Sequence, residues 1–210
     1  MKIIKIIKEK KEINAYTFDK FDSNKYAIKH KNQYYFSSIM LPKNNIDSDI
    51  FFIGADKGRK KDLLELEKVF KFYGLRCNIN IVGKKYKFPI NLYYKAMKFL
   101  GIIHDKYNNG MDYETALNEI SKSKAILDFV QIGQNGMSMR PLEALFFSKK
   151  LVTNNLEIIN EDFYNENNIF VIGKDDIEGI KDFLEKPYIE ISASIRDRYD
   201  FKNWIREFQN

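Results

Sequence analysis

An apolar run, a polar glycine-bearing loop, a helix and a second apolar run follow one another between residues 125 and 153, and this succession constrains the fold more than any other feature of the chain. Residues 125–130 suit a buried strand, and residues 150–153 suit another. Between them the run Gln131-Ile132-Gly133-Gln134-Asn135-Gly136-Met137-Ser138-Met139-Arg140-Pro141 leads into Leu142-Glu143-Ala144-Leu145-Phe146-Phe147. Pro141 suits the first helical position, where its missing N–H is not needed. Glu143 then falls in the first turn. Its carboxylate is either an ordinary first-turn glutamate that complements the helix dipole, or an acceptor for the hydroxyls of a ribose held in the loop.

The same strand-to-helix alternation begins near Asp49. Ile50-Phe51-Phe52-Ile53 is a short apolar run ended by Gly54, and Leu63, Leu66, Phe70 and Tyr73 then recur at helical spacing, with Gly74 as a stop. Residues 75–82 alternate as a strand that Gly83 ends. A helix over 92–99 and a strand over 102–104 are expected next, followed by a helix capped by Asp112 and carrying Tyr113, Ala116, Leu117 and Ile120. Strands at 151–153 and 169–172, a helix near 177–184 stopped by Pro187, and one last amphipathic helix with Ile195, Tyr199, Trp204, Ile205 and Phe208 complete the series. Strands that alternate with helices predict an α/β fold, a single doubly wound parallel sheet of Rossmann type with helices on both faces.

That domain is expected over residues 49–210. Residues 1–48 differ, since Tyr16, Phe18, Phe21, Tyr26, Tyr34, Tyr35 and Phe36 are set among polar residues without a sustained period. They read as a strand or hairpin appendage that packs either on the sheet or on a missing neighbour, behind a lysine-rich start expected to be disordered.

Composition narrows the functions open to such a domain. The first residues alternate lysine with pairs of isoleucine, which fits neither a signal peptide nor a membrane span, so a cytoplasmic location is expected, free or peripheral at the inner face of the membrane. Cys77 is the single cysteine and His30 and His104 are the two histidines, so neither an internal disulfide nor a zinc-ligand spacing exists. Cys77 reads as a core residue. The net charge of +6 comes from dispersed lysines rather than from basic residues interleaved with aromatics, so nucleic acid is not an expected partner.

Two loops could carry chemistry. In Gly54-Ala55-Asp56-Lys57-Gly58-Arg59 the glycines permit close backbone approach, and Lys57 and Arg59 could hold a diphosphate at a helix start. The loop matches neither the Walker nor the dinucleotide glycine pattern, and a solvated turn is the plainer reading of it. In the second loop Gln131, Gln134, Gly136, Ser138 and Arg140 supply neutral donors and acceptors and one cation beside Glu143. Ligands of open α/β sheets bind outside the carboxyl ends of the strands, where both loops lie.

With Ile81-Val82-Gly83, Asp112-Tyr113-Glu114, the run from Ser123 to Asp128, Gly136 through Glu143-Ala144-Leu145, the run from Lys149 to Asn155, and Asn168-Ile169-Phe170, the order of motifs resembles the nucleotide-sugar-binding C-terminal half of GT-B glycosyltransferases. It is closest to bacterial proteins of lipopolysaccharide or capsule synthesis, and the likeness runs from Ile50 to the C-terminus. The resemblance implies a nucleoside-diphosphate sugar as donor, a glycan or lipid-linked glycan as acceptor, no permanently bound cofactor and no required metal. Glu143 matches the second glutamate of the family's Glu-x7-Glu pattern, which binds the donor ribose, whereas Asn135 stands where the first glutamate is expected. Lys57, Arg59 and Arg140 match the cations that neutralise the diphosphate. A GT-B enzyme also has an N-terminal domain that supplies the acceptor site and the base, and 48 residues cannot make one. The expectation is therefore a donor-binding part that is either a truncated product or completed by a separate polypeptide or a second copy, with no catalytic base named here. The alternative is a non-catalytic nucleotide-binding or protein-interaction module.

Overall fold

Alternate residues of the central strands face opposite sides of one sheet, and both sides are apolar. The computed structural model describes residues 14–83, 92, 96–97, 107–108, 110–131 and 136–208. In chain order the elements are β1 (Tyr16–Thr17), α1 (Lys20–Tyr26), β2 (Lys29–His30), β3 (Ser48–Ala55), α2 (Lys60–Phe72), β4 (Cys77–Val82), β5 (Tyr107–Asn108), α3 (Tyr113–Ser121), β6 (Ser123–Asp128), α4 (Arg140–Phe146), β7 (Lys150–Thr153), β8 (Ile169–Val171), α5 (Ile180–Glu185), α6 (Ala193–Tyr199) and α7 (Phe201–Trp204), with short 3-10 turns at Leu156–Asn160, Ile177–Gly179 and Ile205–Phe208.

Five strands and the two-residue edge strand β5 form one sheet in the order β5-β4-β3-β6-β7-β8, and every neighbouring pair is parallel. Read by position along the chain, this is the order 3-2-1-4-5-6 of the Rossmann-like fold, which reverses direction between β3 and β6. On one face Phe51, Ile126, Leu151, Ile169 and Val171 pack with Ile120 of α3, Leu142 and Leu145 of α4 and Tyr199 of α6. On the other, Ile50, Phe52, Ala125, Leu127, Val152 and Phe170 pack with Leu63 and Phe70 of α2 and Phe183 and Leu184 of α5. The two-sided burial explains why these strands read as continuous apolar runs rather than as alternating ones.

Several boundaries shift for physical reasons. Residues 75–76 precede β4, and Leu75 closes the end of α2 instead: Gly74, at φ +78°, and Leu75 return their N–H groups to Lys71 and Phe70. That is the Schellman arrangement, with Leu75 and Phe70 in the same apolar cluster. Lys186, extended before Pro187, ends α5 as expected of a residue preceding proline. Cys77 is half-buried against the α2 face, and burial pushes its thiol up to about 11. The expected helix over 92–99 lies outside the described residues except at 92, 96 and 97, and the expected strand over 102–104 and the lysine-rich start at 1–12 lie outside them altogether. No helix among the described residues is long and apolar enough to cross a membrane.

The appendage packs on the domain, but not as a hairpin. β1 and β2 pair in parallel through the intervening α1, whose N-terminus Asp19 caps by accepting from the N–H groups of Phe21 and Asp22. Tyr35, only 2% exposed, joins the α4 face of the core, and its backbone bridges to the C-terminal segment: its N–H donates to the Tyr199 carbonyl, and its carbonyl accepts from Phe201. This bridge divides the expected last helix. Asp200 is extended at the junction and caps α7 through Lys202, because the groups flanking it bond to Tyr35 rather than continue the helix. Tyr34 and Phe36 meet Phe201, Tyr34 also meets Trp204, and Trp204 meets Phe208.

Gly74 has open space around it, so a methyl group there adds strain without a clash. The Gly74→Ala variant is expected to lose about 1 kcal/mol, as a non-glycine residue held in the left-handed region does. A urea midpoint equal to that of the parent would show that α2 does not depend on this cap.

Candidate functional site

The reversal of strand order leaves a cavity of about 390 Å3 outside the carboxyl ends of β3 and β6. Phe52 and Ile53 of β3, Leu127 and Asp128 of β6, both predicted loops, Tyr113 of α3 and Tyr35 of the appendage line it. Of the residues singled out in the sequence, Lys57, Arg59, Ser138, Arg140 and Glu143 stand on this one wall.

The first loop is a tight turn. Lys57 and Gly58 both take positive φ, at +46° and +84°, and the Arg59 N–H donates to the Asp56 carbonyl at 2.9 Å. Such a type I′ geometry favours glycine at Gly58 for its positive φ alone, since a Cβ added there would meet nothing within 4 Å. Lys57 is exposed at the mouth of the cavity. Arg59 reaches across instead: Nε donates to the Ala55 carbonyl at 3.2 Å, Nη1 donates to the Phe129 carbonyl, and the guanidinium lies 5.3 Å from the centre of the Phe52 ring. It ties the end of β3 to the end of β6 across the switch point, and its burial there lowers its pKa. Gly54 makes that crossing possible, since a Cβ on it would sit 2.7 Å from Arg59 Nη2. The start of α2, expected to be open to an anion, has its Lys60 N–H bonded to the Asp56 carboxylate at 2.9 Å.

The second loop delivers a buried charge network. α4 begins at Arg140, so Pro141 is its second residue rather than its first, and Ser138 Oγ accepts from the Arg140 N–H at 3.1 Å. Arg140 donates through Nη1 to Glu143 Oε2 and through Nη2 to the Ile53 carbonyl at 3.3 Å. Tyr113 Oη donates to Glu143 Oε1 at 3.2 Å and is hydrogen-bonded to Tyr35 Oη. Glu143 is only 3% exposed, and burial raises its pKa against the opposing pull of Arg140. The two readings of Glu143 therefore meet in one place: it is a paired helix-start glutamate, and it lines the cavity. Gly136 lies away from the cavity lining, buried beneath Phe18 of the appendage, whose ring an added Cβ would meet at 2.9 Å. Gln131 is half-buried outside the lining, and Gln134, like Asn135, lies outside the described residues.

Sequence reasoning passed over several residues. Asp128 ends β6 fully enclosed, accepting from Ser138 Oγ at 2.8 Å and from Thr153 Oγ1 at 3.4 Å. Burial pushes its carboxyl up, while Ser138, Arg140 and Arg59 pull it down. A carboxylate closing an apolar strand was its available signal. Asn154 clamps the ends of β6 and β7, accepting from the Val130 N–H at 2.7 Å and donating to the Val130 carbonyl at 3.0 Å. The chain also holds an Asp-x-Asp sequence at Asp47-Ser48-Asp49. It stands at the amino end of β3, opposite the cavity, with Asp49 paired to Arg76 and Lys124. No group of three or more His, Cys, Asp or Glu among the described residues could hold a metal ion.

The chain matches no protein-family model, and no curated protein shares significant sequence similarity with it. The geometry alone therefore carries the chemistry: two guanidinium groups and an exposed lysine beside two enclosed carboxyls, in a cavity of the size that holds a small molecule.

In the unfolded chain the Asp128 carboxyl ionises in the ordinary range near about 4, and in the folded chain only at higher pH. Stability supplied by the neutral acid is thus whole below that range and is lost as pH rises through the folded-state value. Asparagine stays neutral, so the urea midpoint of Asp128→Asn should gain on the parent as pH rises from roughly 4 through the folded-state value. A difference that stays flat over that interval would remove the penalty assigned to the Asp128 charge.

Proposed function

We propose that the cavity between β3 and β6 binds a nucleoside-diphosphate sugar, and that the chain is the donor-binding part of a GT-B-type glycosyltransferase that moves a sugar to a glycan or lipid-linked glycan of the cell surface. One observation carries the reading: Lys57 and Arg59, from one loop, and Ser138, Arg140 and Glu143, from another some eighty residues away, share one cavity at the switch point of a parallel sheet. Lys57 offers a cation to the diphosphate, and Arg140 offers a second beside it. Glu143 offers carboxylate oxygens to ribose hydroxyls. Tyr113 Oη, which donates to Glu143 Oε1, holds the place that such a hydroxyl would take. Cationic side chains that stabilise the leaving diphosphate take the part that a bound metal would otherwise play. In this reading the acceptor and the base come from a second domain facing the cavity.

The interaction-module reading draws on different residues. Phe18, Phe21 and Met40 are 53%, 54% and 78% exposed on the N-terminal segment, a surface suited to a protein partner. The two readings agree on the fold and differ in whether the cavity is occupied.

Titration of the full chain with UDP-, GDP-, ADP- and CMP-sugars should raise the melting temperature for one nucleotide class, by an amount equivalent to about 2.7 kcal/mol at a hundredfold excess over Kd. Lys57→Glu, on the exposed turn, should weaken that binding about tenfold or more while leaving the melting temperature of the free protein unchanged. Glu143→Gln should weaken it at constant shape, whereas Glu143→Ala also strips Arg140 of its partner and lowers stability. Absence of any shift with all four donors would overturn the donor reading.

A further inference from the structure

Another cavity, of about 370 Å3, adjoins the first, and none of the site residues predicted from the sequence lines it. Met137 lines it where Ser138 and Met139 line the first, and Gln33 lines it where Tyr35 lines the first. The two chain segments that separate the cavities are joined by a hydrogen bond from Gln33 Nε2 to the Met137 carbonyl at 2.7 Å. The far wall is the turn Leu156–Asn160 that follows β7, with Glu157 and, beyond it, Glu161.

Its chemistry differs from that of its neighbour. Phe18 and Phe21 present ring surface to solvent, 53% and 54% exposed. The first is braced from below by Gly136, and the backbone of the second is fixed by the Asp19 cap. Lys20, a cation of this lining, is paired with Glu161 at 2.8 Å, and Glu157 adds a second carboxylate. His30 is the other basic residue of the lining, so a phosphate or nucleotide would meet two carboxylates here against Lys20 and this imidazole. The remaining polar groups include the neutral amides of Asn32, Gln33 and Asn155. Gln33 Oε1 is buried and has no hydrogen-bond partner among the described residues, so the partition carries an acceptor that lacks a donor. Sealed from solvent, that atom is equally out of reach of a ligand in the cavity.

We infer that this cavity binds a neutral saccharide. Sugar hydroxyls both donate and accept, which suits carboxylates and amides at once, and the apolar C–H face of a pyranose suits an exposed phenyl ring. A volume near the lower end for small-molecule sites, about 300–1,000 Å3, matches one or two sugar rings. The inference stands apart from the donor reading, because it uses different residues and excludes the charged ligand which that reading requires.

Trp204 is the single tryptophan of the chain, and its indole N–H donates to the carbonyl of Asn32, a lining residue, at 2.7 Å. Its one indole resonance in a nitrogen-proton correlation spectrum therefore reports on this cavity. Galactose, N-acetylglucosamine, lactose and chitobiose, titrated into the full chain to roughly 50 mM, should include at least one that moves it saturably, with Kd at or below the millimolar range. Phe21→Ala, at an exposed position, should weaken that binding about tenfold. Lys57→Glu and added UDP should leave it unchanged, so a failure of the donor cavity reads separately. No saturable movement with any of the four sugars, equal affinity in Phe21→Ala, or movement caused by UDP alone would each overturn the inference.

Discussion

A parallel sheet has to be covered on both faces, and in this chain that requirement sets almost everything else. Strands joined in parallel need crossovers, the crossovers here are mostly helices, and the helices bury Ile50 and Phe52 on one side and Phe51 on the other. Fully burying each such side chain contributes about 1.5–3 kcal/mol. The same requirement produces the cavity. α2 covers one face after β3, α4 covers the opposite face after β6, and the loops entering them diverge from adjacent strand ends.

What fills the divergence is charge held by geometry. Arg59 and Arg140 both bond to backbone carbonyls of the neighbouring strand end, Phe129 and Ile53 respectively, so each loop is anchored on the strand to which the other loop belongs. Glu143 pairs with Arg140 at depth, and Asp128 stands beside them, hydrogen-bonded to Ser138 and Thr153. Buried charges that lose a partner are costly, so the network resists rearrangement and keeps its groups aimed at one place. An exposed lysine at the rim and a hydrogen-bonded interior suit the donor proposed above, whose diphosphate is an anion.

The N-terminal segment contributes to the same architecture from outside the sheet. Tyr35 enters the core and reaches Tyr113, Gln33 reaches Met137, and Phe18 lies on Gly136, so three side chains of this segment touch or support the second loop and its neighbours. The C-terminal helices bend to receive it. A segment with no periodicity of its own thus becomes ordered through aromatic packing with α7 and through two backbone hydrogen bonds at Tyr35.

Local pattern determined the fold class: the apolar runs at 50–53 and 125–130, the helical stripe of Leu63, Leu66 and Phe70, the stop at Gly74 and the cap at Asp112 are all written in neighbouring residues. The placement of Lys57, Arg59, Arg140 and Glu143 near strand ends was equally legible, because βα loops have a fixed address in such sheets. Sequence spacing did not reveal that Arg59 spends its donors on Ala55 and Phe129, that Asp56 occupies the start of α2, or that Gly136 serves Phe18. Those depend on partners dozens of residues away. The parallel pairing of β1 with β2, the division of the last helix at Asp200 and the second cavity were decided by tertiary structure alone, because each arises where the N-terminal segment meets groups that no local period can announce.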